Sequence, residues 1–138
     1  MKITVVFWSG TGNTEAMANA VADGIKNAGA EAVLLSGLTT DELDSYDAFA
    51  FGCPAMGSEE LEDGEFEPMF AALEGKLNGK KIALFGSYGW GDGEWMRNWE
   101  ERCKNDGAVI ACDFVIANEA PDDDAIAACK ALGAALAK

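Results

Sequence analysis

The chain has 138 residues, of which 49% are hydrophobic, a length and composition that predict one compact domain spanning residues 1–138 around a single core. Its 24 acidic residues outweigh 10 basic ones for a net charge of −14, which argues against nucleic acid and anionic membranes as partners and favours basic proteins. No apolar run nears the roughly 20 residues that cross a bilayer, and the N-terminal run is too short for a signal peptide, so a soluble, unprocessed, cytoplasmic protein is expected.

Residues 3–8 are a β-branched and aromatic run with almost no polar interruption, the pattern of a strand buried on both faces of a parallel sheet. The run leads into Ser9, Gly10, Thr11, Gly12, Asn13 and Thr14. Met17, Val21, Ile25 and Ala28 then recur at helical spacing, and the helix is expected to end near Gly29. A second unit pairs a strand over residues 32–35 with a short acidic helix near residues 41–45. A third pairs a strand over residues 48–52 with a helix carrying Phe66, Phe70, Leu73 and Leu77, with Pro68 in its first turn. The fourth strand, residues 81–86, precedes a helix carrying Trp95, Trp99 and Cys103. The fifth, residues 108–117, precedes a helix carrying Ile126, Cys129, Leu132 and Leu136.

Five strands alternating with five helices imply a parallel sheet covered on both faces. Ligands of such sheets bind beyond the carboxyl ends of the strands. Three strands here end in loops of unusual chemistry, residues 9–14, 53–60 and 87–93, which are expected to converge on one site. Trp95 and Trp99, four residues apart on a helix, read as core. Six of the nine residues from 59 to 67 are acidic, a density that solubility alone does not require.

The four cysteines form no CxxC pair and the chain contains no histidine. They read as small buried hydrophobes, with no metal site and no catalytic triad. No side chain is therefore assigned a catalytic role.

The loop at residues 9–14 is a phosphate-binding loop. Its glycines let backbone N–H groups face a ligand, its hydroxyls and amide add donors, and the following helix contributes partial positive charge. No lysine or arginine lies between Lys2 and Lys26, so neutral donors must hold the anion. A triphosphatase loop would need its lysine. A dinucleotide fingerprint would need a third glycine where Glu15 stands, and a ribose-binding acid after the second strand, where Ser36 and Gly37 stand. A response regulator would need an aspartate where Cys53 stands, and a low-molecular-weight phosphatase would need a cysteine followed by a loop ending in arginine.

The segments SGTGNTE at 9–15, CPAMGSEELE at 53–62 and FGSYGWGDGEWM at 85–96 together resemble the short-chain flavodoxins of anaerobic bacteria. The lack of a long insertion in the fifth strand fits that class. The resemblance implies a flavodoxin-like three-layer α/β sandwich, its five-stranded parallel sheet ordered 2-1-3-4-5, carrying non-covalently bound FMN. It implies that residues 9–14, preceded by Trp8 and joined by Ser87, hold the 5′-phosphate. Trp90 would stack on the outer face of the flavin ring, a role Tyr88 is also placed to share, and Met56 would cover the inner face beside Pro54 and Ala55. Backbone groups of Met56, Gly57, Ser58, Glu59, Gly89 and the adjoining Gly91 would bond the ring's polar edge, with the Glu59 side chain reaching flavin N3.

Gly57 would act as a pivot whose carbonyl turns to accept a hydrogen bond from flavin N5–H, and glycine keeps that turn inexpensive. The acids would oppose the second electron. One carboxylate about 10 Å away costs ~0.4 kcal/mol, roughly 18 mV, and several reach ~100 mV before salt screening. The resulting expectation is a monomeric low-potential one-electron carrier, cycling mainly between neutral semiquinone and anionic hydroquinone and substituting for ferredoxin. Its partners would be basic ferredoxin-type reductases and acceptors docking at the flavin edge. The alternative is a flavodoxin-like NAD(P)H-dependent quinone or nitro-reductase.

Overall fold

The first apolar run forms an interior strand of the sheet in the computed structural model, which describes residues 1–57 and 59–138. β1 (Lys2–Phe7) is followed by α1 (Asn13–Asn27), β2 (Glu31–Leu35), β3 (Ala48–Gly52), α2 (Phe66–Leu73), β4 (Lys81–Tyr88) and α3 (Glu94–Asn105). The chain closes with β5 (Val109–Ile110), β6 (Val115–Asn118) and α4 (Asp123–Leu136). The described strands pair in parallel in the order β2-β1-β3-β4-β5, with β6 also on β4. That is the expected sheet order.

Side chains alternate across the sheet with period two. Ile3, Val5, Ala48, Ala50, Ala83 and Phe85 face α1 and α4, while Val6, Phe49, Phe51, Ile82 and Leu84 face α2 and α3. The two faces are packed differently. On the first, small residues bring α1 and α4 together: Gly24 lies against the Lys130 carbonyl and Gly133 against the Val21 carbonyl, with no room for a β-carbon at either. On the second, aromatic rings fill the space, and Trp99 meets Phe66 and Phe70 edge to face at 5.5 and 5.6 Å.

Arg102 ties α2 to α3. Its guanidinium donates to both Glu67 carboxylate oxygens at 2.7 and 2.6 Å and to Glu74 at 2.5 Å, and lies 5.1 Å over the Phe70 ring. Glu74 is held below the usual carboxylate range by Arg102. Asp106, at the C-cap of α3, is pushed up to about 6 by burial and by its carboxyl neighbour Glu74.

Three elements differ from the expected ones. The second helix is a 3-10 turn, Thr40–Ser45, closed by a capping box in which Thr39 and Glu42 bond reciprocally. The helix carrying Phe66 ends at Leu73 and passes through a 3-10 turn, Glu74–Lys76, before Leu77. The fifth strand is broken, because residues 111–114 stand opposite only Ala83 and Leu84 on β4, two residues too many for continuous pairing. Asp113 is exposed at this interruption of the sheet's edge, where the chain bulges between β5 and β6. No described helix is long and apolar enough to cross a membrane.

Candidate functional site

The carboxyl ends of β1, β3 and β4 are laced together beyond the regular ladder. Trp8 N–H donates to the Gly52 carbonyl at 3.0 Å, Cys53 N–H to Phe85 at 3.2 Å and Ala55 N–H to Ser87 at 2.9 Å. The loops that follow therefore start from fixed points, and they enclose an open cleft of about 570 Å³. That size suits a small-molecule ligand, for which pockets span about 300–1,000 Å³.

The first loop forms one end of the cleft. Gly12 is the N-cap of α1 at φ +96°, a left-handed conformation that glycine adopts without strain. Ser9 Oγ accepts from the Gly12 and Glu15 N–H groups at 3.1 and 3.2 Å, which fixes the turn and leaves the hydroxyl proton free to donate outward. Thr14 and Ser87, 1% and 5% exposed, share a hydrogen bond of 3.0 Å between their hydroxyls, and Ser87 N–H reaches Thr14 Oγ1 at 3.4 Å. The first and third loops meet at this pair. The lining holds hydroxyls, an amide and backbone groups but no lysine or arginine, a donor set suited to a phosphate carried by an otherwise neutral ligand.

The second loop folds back on itself. Met56 N–H donates to the Glu60 carbonyl and Glu59 N–H to the Met56 carbonyl, both at 2.9 Å, with Glu59 left-handed at φ +55°. Nothing lies within 4 Å of where a β-carbon on Gly57 would stand. Trp95, at the start of α3, holds both ends of this loop. Its indole N–H donates to the Cys53 carbonyl at 3.2 Å, and its backbone N–H to the Glu59 carboxylate at 3.0 Å. Gly91, at φ +91°, packs directly on that carboxylate.

Of the residues singled out in the sequence, Trp8, Ser9, Gly10, Thr11, Asn13, Thr14, Pro54, Ala55, Met56, Ser87, Tyr88 and Gly89 line the cleft. Gly12, Gly57, Glu59, Trp90 and Gly91 stand behind or beside it, and Ser58 lies outside the described residues. Met56 is 38% exposed and Trp90 70%, so Trp90 projects into solvent while Tyr88 forms wall. Ser87 and Tyr88 belong to β4, which runs two residues beyond its expected end.

A fourth loop was missed. Glu119 and Ala120 complete the lining. Glu119, at φ +56°, donates its N–H to the Tyr88 carbonyl at 2.7 Å, and the Asn118 amide reaches the Tyr88 and Gly89 carbonyls at 3.5 and 3.4 Å. The signal was available, since residues 118–120 follow the carboxyl end of the fifth strand. Among the described residues, Glu119 is the only formally charged one in the lining.

The acidic run at 59–67 is more structural than its composition suggested. Glu59 caps α3. Glu62 accepts from the Gly64, Glu65 and Phe66 N–H groups at 2.7, 2.8 and 2.8 Å at the start of α2, hydrogen bonds that hold its carboxyl below the usual range. Glu67 pairs with Arg102. Three of the four cysteines are buried as expected, and burial pushes the Cys53, Cys103 and Cys129 thiols up to about 12, leaving them protonated; Cys112 is only half-buried, its thiol raised by the same cause.

A flavodoxin family model matches residues 5–133. The flavodoxin of Megasphaera elsdenii is 51% identical over 138 residues, covering 99% of this chain and 98% of that one. That of Clostridium beijerinckii is 48% identical over 121 residues, covering 86% and 88%. Among solved structures, the solution structure of the two-electron reduced Megasphaera elsdenii flavodoxin superposes with a TM-score of 0.86 at 50% identity, covering 98% of each chain.

Proposed function

Because the chain belongs to the flavodoxin family, FMN-binding electron-transfer proteins rather than enzymes, we propose that it is a low-potential one-electron carrier, cycling mainly between neutral semiquinone and anionic hydroquinone and substituting for ferredoxin. The observation that carries this reading is the cleft itself, which joins a cation-free phosphate loop at one end to Met56, Tyr88 and Gly89 at the other. When bound, FMN supplies the redox chemistry, accepting and releasing electrons singly. The chain's residues position the cofactor and bias its states.

In this reading, residues 9–14 and Ser87 hold the phosphate through N–H and O–H donors, with Trp8 closing the wall behind them. Met56, flanked by Pro54 and Ala55, covers one ring face, and Trp90, with Tyr88 beside it, covers the other. Backbone groups of residues 56–59 and of Gly89 and Gly91 serve the ring's polar edge. Gly57 has open space on its α-carbon, which suits a peptide that turns its carbonyl toward the flavin and back. The Glu59 carboxylate, with one oxygen on the Trp95 backbone N–H, would offer its other oxygen to flavin N3. Residues 1–138 act as one domain, working as a cytoplasmic monomer. The partners are basic redox proteins drawn to a chain of net charge −14.

The visible spectrum of the purified protein, and release of FMN rather than FAD, test the cofactor assignment. Anaerobic stepwise reduction tests the carrier role. A long-lived blue one-electron state is expected, and rapid NAD(P)H oxidation with a quinone but no such state would overturn it. Gly57→Thr should narrow the separation of the two one-electron potentials with the fold intact, and unchanged separation refutes the pivot.

A further inference from the structure

We infer that Trp95 is a positioning residue for the redox reaction, a two-point clamp on the loop that carries the Gly57 pivot; the inference rests on the pivot reading given above. Trp95 does not itself line the cleft. Its two N–H groups reach opposite ends of one loop, the indole to the Cys53 carbonyl and the backbone to the Glu59 carboxylate, at 3.2 and 3.0 Å. Between those anchors the described residues hold the loop by Ala55 N–H on the Ser87 carbonyl, and the tip beyond Ala55 by Met56 N–H on the Glu60 carbonyl and Glu59 N–H on the Met56 carbonyl.

Trp95 is itself buried and packed on two sides. It is 2% exposed, its ring edge packs on Gly86 and its centroid lies 5.7 Å from that of Tyr88. Fixed ends confine any rearrangement of the loop to its tip. A pivot carbonyl then has few places to go, and the hydrogen bond it offers the flavin is not diluted among other loop conformations. Releasing one end restores that freedom and leaves a buried carbonyl without its donor.

Trp99 supplies an internal control. It lies one turn along α3, is equally 2% exposed, and its indole N–H has no hydrogen-bond partner. Replacing either tryptophan by phenylalanine removes comparable ring area, but only Trp95→Phe cuts a bond to the loop. The experiment compares FMN affinity, by quenching of flavin fluorescence, and the two one-electron potentials in wild type, Trp95→Phe, Trp99→Phe and Gly57→Thr. For Trp95→Phe a roughly tenfold weaker FMN affinity is expected, with a tenfold fall in the comproportionation constant, about 59 mV of narrowing. Trp99→Phe should leave the separation of potentials unchanged.

Equal narrowing in both tryptophan variants would mean general loosening of α3 and would overturn the clamp. Unchanged separation in Trp95→Phe, alongside narrowing in Gly57→Thr, would overturn the clamp and spare the pivot. Unchanged separation in Gly57→Thr would overturn both. Should Trp95→Phe fail to fold, hydrogen exchange of the Trp95 indole and backbone N–H groups in the wild-type holoprotein decides. Protection in both oxidised and fully reduced protein is expected, and fast exchange in either state refutes the clamp.

Discussion

Replacing Asp106 by asparagine should stabilise the protein at neutral pH and have no effect in acid. In the native protein Asp106 sits at the C-terminal end of α3, where a negative charge opposes the helix dipole. One of its carboxylate oxygens is buried without a hydrogen-bond partner, and Glu74 stands beside it. Burial and that neighbour raise its pKa to about 6 from an ordinary 3.8. Between those values the folded chain binds more protons than the unfolded one, so stability falls as pH rises through this window and the cost is complete above pH 6. Taken at face value the shift is worth ~3 kcal/mol. Partial solvent contact screens the carboxylate and brings the expected gain in Asp106→Asn to ~1–2 kcal/mol, or roughly 4–8 °C in Tm for a domain of this size. Urea denaturation of both proteins from pH 3.5 to 8, with FMN removed so that cofactor binding does not contribute, measures the difference directly. It should grow from near zero below pH 4 to a plateau above pH 7. A difference that is constant across pH, or of opposite sign at pH 7, refutes the reasoning.

Thr14→Val keeps the shape of a buried side chain but strands the Ser87 hydroxyl, at ~1–3 kcal/mol, so equilibrium titration should show FMN affinity weakened about tenfold or more; unchanged affinity would remove this pair from the site. Gly133→Ala drives a methyl into the Val21 carbonyl and should destabilise by ~2 kcal/mol or more, read as a lower urea midpoint at constant slope. Glu119→Gln removes the one formal charge that the described residues place in the cleft lining and should raise the potential of the second electron by roughly 20 mV for a carboxylate about 10 Å from the ring. The increment should shrink in high salt, and spectroelectrochemistry at two ionic strengths is the test.

The sheet and its order were readable because each strand buried on both faces is an uninterrupted apolar run and each helix carries one stripe. Ile3 and Val5 against Val6 divide between two covered faces, and the one polar residue among them, Thr4, is buried with its hydroxyl donating to the Val33 carbonyl. The bulge at residues 111–114 was not readable, since Ala111, Cys112 and Phe114 continue the apolar composition and only Asp113 breaks it. Twelve of the cleft's fourteen lining residues fell within the chosen loops because glycine and hydroxyl residues cluster there for a chemical reason. Glu119 and Ala120 carry no such mark, and only their place after a strand end identifies them. The acids at 59–67 mislead when read as a field. Composition registers charge, whereas the roles of Glu59, Glu62 and Glu67 depend on which amide or guanidinium the fold brings to each.

The broken fifth strand also has a bearing on solubility. A sheet edge is a template on which another chain can add by backbone pairing, and its hazard grows with its unbroken length. Here that border is divided into runs of two and four residues by the bulge, with the exposed Asp113 at the interruption. No long straight ladder of free N–H and C=O groups faces outward on this side. A chain with so much apolar material in its interior thus keeps a sheet border on which intermolecular strands find little purchase.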